Sequence, residues 1–271
     1  MPRILSLLLV LLLTACKAPQ PAAITLATTT SVVNSNLLAP VIEAYQSETG
    51  TTVHVSAVGS GRALAMLASG QAEVAITHAP AQEAATLQQH PDWPYRKFLY
   101  NDFLVVGPAA DPAQVGKATN ATDAMKRIAT AKARFISRGD GSGTEERELS
   151  LWAAAGVAEA DRPRVIAGAG MGATLRVASE TDAYTLTDRG SWSTVGPALR
   201  LKPLFEGDPT LLNTYAVIAP SPNSIGGRFA RWLSEGRGQD AIASTLDSGR
   251  VKGFTLWPAD RPTGKPTDLP R

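Results

Sequence analysis

Residues 135–155 read FISRGDGSGTEERELSLWAAA and show most clearly the unit from which the chain is built. Residues 135–137 are a short apolar run of strand character. Residues 138–144 alternate glycine with polar residues, and residues 145–155 are mostly good helix formers. Strand, glycine-rich turn and helix in that order make one β-loop-α unit. The turn falls where a helix leaves its first backbone N–H groups unpaired and its macrodipole is positive. Arg138 adds a planar guanidinium suited to paired oxygen atoms, and Ser142 and Thr144 add hydroxyl donors. These are the parts of an anion site. The plainer reading is a surface loop whose Asp140 caps a turn. In a site, Asp140 can orient Arg138 or accept a proton from the ligand.

Three more turns have the same design, small or hydroxylated residues just ahead of a helix: 28–31, 59–61 and 170–174. Each alone is an ordinary helix cap. Four on one chain, one of them with an arginine, favour a shared purpose. The rest of the pattern alternates in the same way. Strand-like runs at 24–27, 52–58, 74–77 and 98–106 surround two helices. In one of these Leu37, Val41 and Tyr45 repeat at helical spacing, with Pro40 tolerable only near its first turn and Gly50 closing it. The other covers 62–69. A second block follows, with helices at 121–131, 145–155 and through Ser179, and strands at 135–137 and 183–187. A strand at 212–219 and a helix at 225–233 end the pattern. Repeated units of this kind predict an α/β fold of two lobes with mixed sheets and a cleft between them.

The chain has 271 residues, 44% hydrophobic and 18% charged, with a formal net charge of +2. That composition suits a globular protein and offers no basic field for nucleic acid. Any anion preference must be local. The single cysteine, Cys16, excludes an intrachain disulfide and a cysteine-based metal cluster. It follows Arg3, a short apolar run at 4–13 and the sequence LTAC, which reads as a lipobox. The run is too short to span a bilayer, so it reads as an export signal. Lipidation of Cys16 would hold the protein on a membrane outside the cytoplasm. The alternative is a secretory signal that happens to contain a cysteine. The expected organisation is a signal peptide at 1–15, a tether at 16–23, a first lobe begun by 24–106, a second lobe at 107–211, a return to the first lobe at 212–257, and a flexible tail at 258–271.

Taken together, ATTTS at 27–31, SRGDGSGT at 137–144, GMGATL at 170–175, AYTLTDRG at 183–190 and EGDPTLLNTY at 206–215 resemble the tungstate-binding receptors of ABC transporters. The motifs occur in family order across residues 24–257. The resemblance implies a type II periplasmic-binding-protein clamshell that binds an oxyanion between its lobes and delivers it to a permease and ATPase. By position, it implies first-lobe donors at Thr29, Thr30, Ser31 and Ser60. It implies a second-lobe clamp at Arg138, Ser142, Gly143 and Thr144, aided by Ala173 and Thr174. No cofactor is implied; the metal enters only as cargo, inside the oxyanion. The Arg-x-Asp-x-Ser-Gly-Thr spacing is also similar to phosphate receptors, so that segment alone does not choose the anion. Three departures stand out. Arg62 replaces a common Gln, Ala79 in THAP replaces an Asp, and Glu145-Glu146-Arg147 replaces a more basic helix start. Carboxylates near a dianion weaken binding, while the loss of the Asp at 79 removes an acceptor that monohydrogen phosphate needs.

Two readings from other classes compete. A hydrolase would need a nucleophile elbow, and no Gly-x-Ser-x-Gly is present. His78 reads as a structural or cleft-lining histidine, and His54 and His90 have no ligand-spaced partners. A protein-recognition scaffold predicts no response to small anions at all.

Overall fold

The computed structural model describes residues 22–249 and 251–270. The expected signal peptide, Cys16 and most of the tether lie outside the described residues. Among the described residues no helix is long and apolar enough to cross a membrane.

The first part of the chain runs β1 (Ala23–Thr29), α1 (Thr30–Asn34), α2 (Leu38–Thr49), β2 (Thr52–Val58), α3 (Ser60–Ala68), β3 (Val74–Thr77), α4 (Pro80–Gln89) and β4 (Tyr95–Pro108). The middle part runs α5 (Ala121–Thr130), β5 (Phe135–Ser137), α6 (Gly143–Ala154), β6 (Arg164–Ile166), α7 (Met171–Glu180), β7 (Thr185–Asp188), α8 (Arg189–Val195) and β8 (Leu201–Phe205). The chain then returns through β9 (Leu212–Ile218), α9 (Ile225–Ser234), α10 (Arg237–Asp247) and β10 (Thr255–Leu256).

β4 organises both lobes. Its residues Tyr95 to Asp102 pair antiparallel with β9, and Phe103 to Val106 pair antiparallel with β7. In the first lobe the sheet order is β10-β4-β9-β3-β1-β2, with β1 parallel to β2 and β3. The second lobe hangs from the far half of β4 through β7 and β8, and β5 pairs parallel with β6. This is the mixed-sheet, two-lobed α/β clamshell that the β-loop-α grammar predicts. The central strands β1, β3, β4, β7 and β9 are buried on both faces, so their alternation separates two cores per lobe. In the first lobe Leu26, Ile76 and Val217 point to one core, and Ala27, Ala75 and Ala216 to the other. In the second, Phe103 and Val105 face α5 and α6, while Leu104 and Val106 face α7.

The local signals at residues 37–50 act as expected. Pro40 is the third residue of α2, where its missing N–H costs nothing, and Gly50 ends that helix with φ 67°. Two findings depart from expectation. Residues 80–89 form α4 although they carry no amphipathic stripe and no side-chain cap of their own. The terminal segment, expected to be a loose tail, is held by the first lobe. The Lys97 ammonium donates to Pro266 O (2.8 Å) and Asp268 O (2.5 Å), and it lies 5.2 Å from the Trp257 ring centroid. Burial lowers the Lys97 pKa to about 8, so these carbonyls compensate a desolvated cation.

Candidate anion site

Each of the four turns ends a strand or loop and opens a helix, and the clamshell brings them to one seam. Thr29 caps α1, Gly59 caps α3, Ser142 caps α6 and Gly170 caps α7, all in extended conformation. A Cβ placed on Gly170 would lie 3.4 Å from Thr30 Oγ1, and one on Gly59 would lie 3.0 Å from Asp140 O. Gly143 fits still more closely: a Cβ there would fall 2.2 Å from His78 O, so only glycine allows α6 to start at this place. The first-lobe turns therefore meet the second-lobe turns directly.

Around this seam lie buried polar atoms without partners. They include Thr30 Oγ1, Arg138 Nε and Thr144 Oγ1, two from the second lobe and one from the first. Arg138 is 2% exposed. Its Nη2 donates to Asp140 Oδ2, and Asp140 Oδ1 accepts from Ser142 N at 3.3 Å. Gly139 and Gly141 take left-handed φ values of 64° and 68°, which fold the loop tightly enough for that pairing. Buried donors left unpaired are costly, so each of them calls for an acceptor. The first amides of α3, α6 and α7 add donors of the same kind.

The remaining sequence-predicted residues divide. Thr29 Oγ1 and Ser31 Oγ lie 3.1 Å apart and bond to each other, which fixes the start of α1. Ser60 Oγ accepts from His78 N (3.3 Å), and Ser142 Oγ accepts from Glu145 N (3.3 Å). Gly143 provides a first-turn amide. Ala173 is exposed, and its N–H donates to Gly170 O at 3.0 Å. Thr174 is buried, but its hydroxyl donates to Ala169 O and Gly170 O, both 3.3 Å away. At the start of α7 the amides ahead of them, Met171 and Gly172, are the unbonded ones.

Sequence reasoning left His78 open and did not single out Thr28, whose Oγ1 is also buried without a partner. The position of His78 is now defined. Asn213 Nδ2 donates to Asn101 Oδ1 (2.7 Å) and to Tyr215 OH (2.9 Å). Its Oδ1, 3.0 Å from His78 Nδ1, must then accept, which assigns the Nδ1–H tautomer. Burial holds the ring neutral, with a pKa lowered to about 4 against the opposing pull of Asp188. A general base of that strength is poorly matched to neutral pH, and the ring stacks on Tyr215 at 4.9 Å. Arg62 is exposed at the start of α3. Glu145 Oε2 accepts from Gly141 N (2.6 Å), so one of the unexpected acids braces the turn.

Comparison with known proteins agrees with this architecture. A model of the PBP superfamily domain matches residues 17–235. The tungstate-binding protein TupA of Peptoclostridium acidaminophilum is 36% identical over 267 residues, 89% of this chain and 93% of that protein. The crystal structure of the tungstate ABC transporter from Geobacter sulfurreducens superposes with a TM-score of 0.72 at 35% identity, covering 82% of this chain and 98% of that one. TupA from Desulfovibrio alaskensis G20 gives a TM-score of 0.70 at 33% identity, with 87% and 98% covered. The chain belongs to the PBP superfamily and, within it, to the family of the TupA tungstate-binding proteins.

Proposed function

We propose that this protein is an extracytoplasmic receptor that captures tungstate, or the similarly sized molybdate, and presents it to the permease and ATPase subunits of an ABC importer. It performs no chemistry on the ligand. The observation that carries the reading is the set of buried, unpartnered donors at Thr30, Arg138 and Thr144, contributed by both lobes at one seam. A tetrahedral dianion with four acceptor oxygens satisfies such a set from several directions, and doing so draws the lobes together.

In this reading Thr30, Arg138 and Thr144 donate through side chains, and Ser60, Gly143 and the start of α7 donate through amides. Thr29, Ser31, Ser142 and Thr174 hold the turns in shape. The lobe limits at 24–106, 107–211 and 212–257 are part of the proposal, supported by the switch of β4 pairing after Asp102. So is attachment to the membrane through Cys16, which fractionation of the wild type against Cys16→Ala tests: the variant should leave the membrane fraction.

A phosphate receptor is the second reading, because Asp140 is a carboxylate beside Arg138. Both of its oxygens already accept bonds inside its own loop, which leaves it poorly placed to take a proton from monohydrogen phosphate. Calorimetry with tungstate, molybdate, sulfate and phosphate separates the two. Heat with tungstate or molybdate and none with phosphate supports the proposal. Phosphate binding alone, or no response to any anion, rejects it.

A further inference from the structure

The acidic start of α6 is the feature that an anion receptor explains least. Glu146 is in the second lobe, yet its carboxylate reaches into the first. Its Oε1 accepts from Ala81 N at 3.0 Å and its Oε2 from Gln82 N at 3.2 Å. Both amides belong to the first turn of α4. That helix has Ala79 at its cap position with no side-chain hydrogen bond, and Pro80 at its first position has no N–H to offer. The Glu83 amide is already bonded to Ala79 O (2.9 Å), and the Ala79 amide to Glu83 Oε1 (2.9 Å). Ala81 and Gln82 thus hold the two first-turn donors that α4 cannot satisfy locally, and one carboxylate from the other lobe takes both.

We infer that Glu146 is a positioning residue for ligand capture, an inter-lobe latch that caps α4 only when the clamshell is shut. The placement supports this beyond the two bonds. Glu146 lies two residues after Thr144, whose hydroxyl is one of the unpartnered donors, and three after Gly143, which packs against His78 O at the entry to α4. An anion seated on the first turn of α6 fixes that turn, and the same turn carries the latch. In the open form the carboxylate and the two amides return to water. In the shut form they make a charge-assisted pair of bonds along a helix dipole. The latch therefore favours the shut, anion-loaded state and slows release, without touching the ligand.

The inference rests on the receptor reading above. Its test uses the whole protein with sodium tungstate as the probe, comparing wild type, Glu146→Ala, Glu146→Gln and the double variant Ala79→Ser/Glu146→Ala. Glu146→Ala should raise the tungstate Kd about tenfold, the size expected for loss of a helix cap. It should also reduce tungstate-induced compaction in solution scattering, while the melting temperature of anion-free protein stays unchanged. Glu146→Gln should recover part of the affinity, because its one amide oxygen can cap one of the two amides. The double variant gives α4 a local cap and should leave Kd as weak as in the single variant. An unchanged Kd in Glu146→Ala, an equal fall in anion-free melting temperature, or full rescue by Ala79→Ser overturns the latch. If wild-type protein ignores tungstate, the receptor reading fails, and the latch with it.

Discussion

Two glycine-rich turns of the second lobe look alike in sequence and behave differently in the structure. In the turn before α6, Thr144 is the second helical residue and its hydroxyl is buried without a partner. In the turn before α7, Thr174 is the fourth helical residue and its hydroxyl donates back to Gly170 O and Ala169 O. The cause is helical register. A threonine in the fourth position has the cap residue's carbonyl one turn behind it and bonds there; a threonine in the second position has no helix carbonyl within reach. The same residue type is therefore an available donor at one turn and already bonded to its own helix at the other. Position within the first turn decides the role.

That contrast can be broken experimentally, beginning with the largest effect. Arg138→Ala removes the buried guanidinium of the α6 turn and should weaken tungstate binding at least about a hundredfold in calorimetry, since charge-assisted bonds contribute roughly 1.5–3 kcal/mol each. Equal binding by the variant would remove Arg138 from the site. Next is the acid behind the same turn. Glu148 accepts from Ser137 Oγ (2.8 Å) and Trp152 Nε1 (3.2 Å), and burial raises its pKa to about 7. The folded state holds that proton more tightly than the unfolded chain between about pH 4.5 and 7, so stability is lost as pH rises through that window. Glu148→Gln should remove this slope and stabilise the protein at pH 8 by about 2 kcal/mol in denaturant titrations. His78 acts in the opposite sense: with its folded pKa lowered to about 4, it costs stability as pH falls below 6.5, so the glutamate term is read from the difference between variant and wild type.

The paired threonines test the register argument itself. Thr144→Val should raise the tungstate Kd about tenfold and leave the anion-free melting temperature unchanged or higher, because it deletes an unsatisfied buried hydroxyl. Thr174→Val should do the reverse, with Kd changed less than about threefold and stability reduced by about 1 kcal/mol. Equal affinity losses in the two variants would show that register does not separate them.

Much of this was legible in the residues. The repeated strand-turn-helix units gave the α/β layering, and Pro40 and Gly50 mark the ends of α2 by local stereochemistry alone. What stayed hidden depends on partners distant in the chain. α4 has no amphipathic stripe and a cap that comes from Glu146, so no window around residues 80–89 contains its explanation. The closing segment is anchored by Lys97, about 170 residues earlier, through its own carbonyls rather than through side chains. The Gly143 and Thr144 positions were expected in a loop and instead open α6, a shift of two residues that changes which amides are free. For Ala173 and Thr174 the motif gave the neighbourhood, while the hydrogen bonds identify which groups there are already engaged.

The passage of β4 through both lobes, side by side with the start of β9, has a mechanical result. Asp102 faces Leu212 at the strip where the halves join. Arg189 grips Asp102 through Nε (2.5 Å) and Nη2 (2.6 Å), and Arg147 donates to Leu212 O (3.2 Å). The two neighbouring strands that join the halves are thus held at this strip from both sides. If the halves swing during capture, as the proposed receptor requires, these two strands are the spine about which the covers turn.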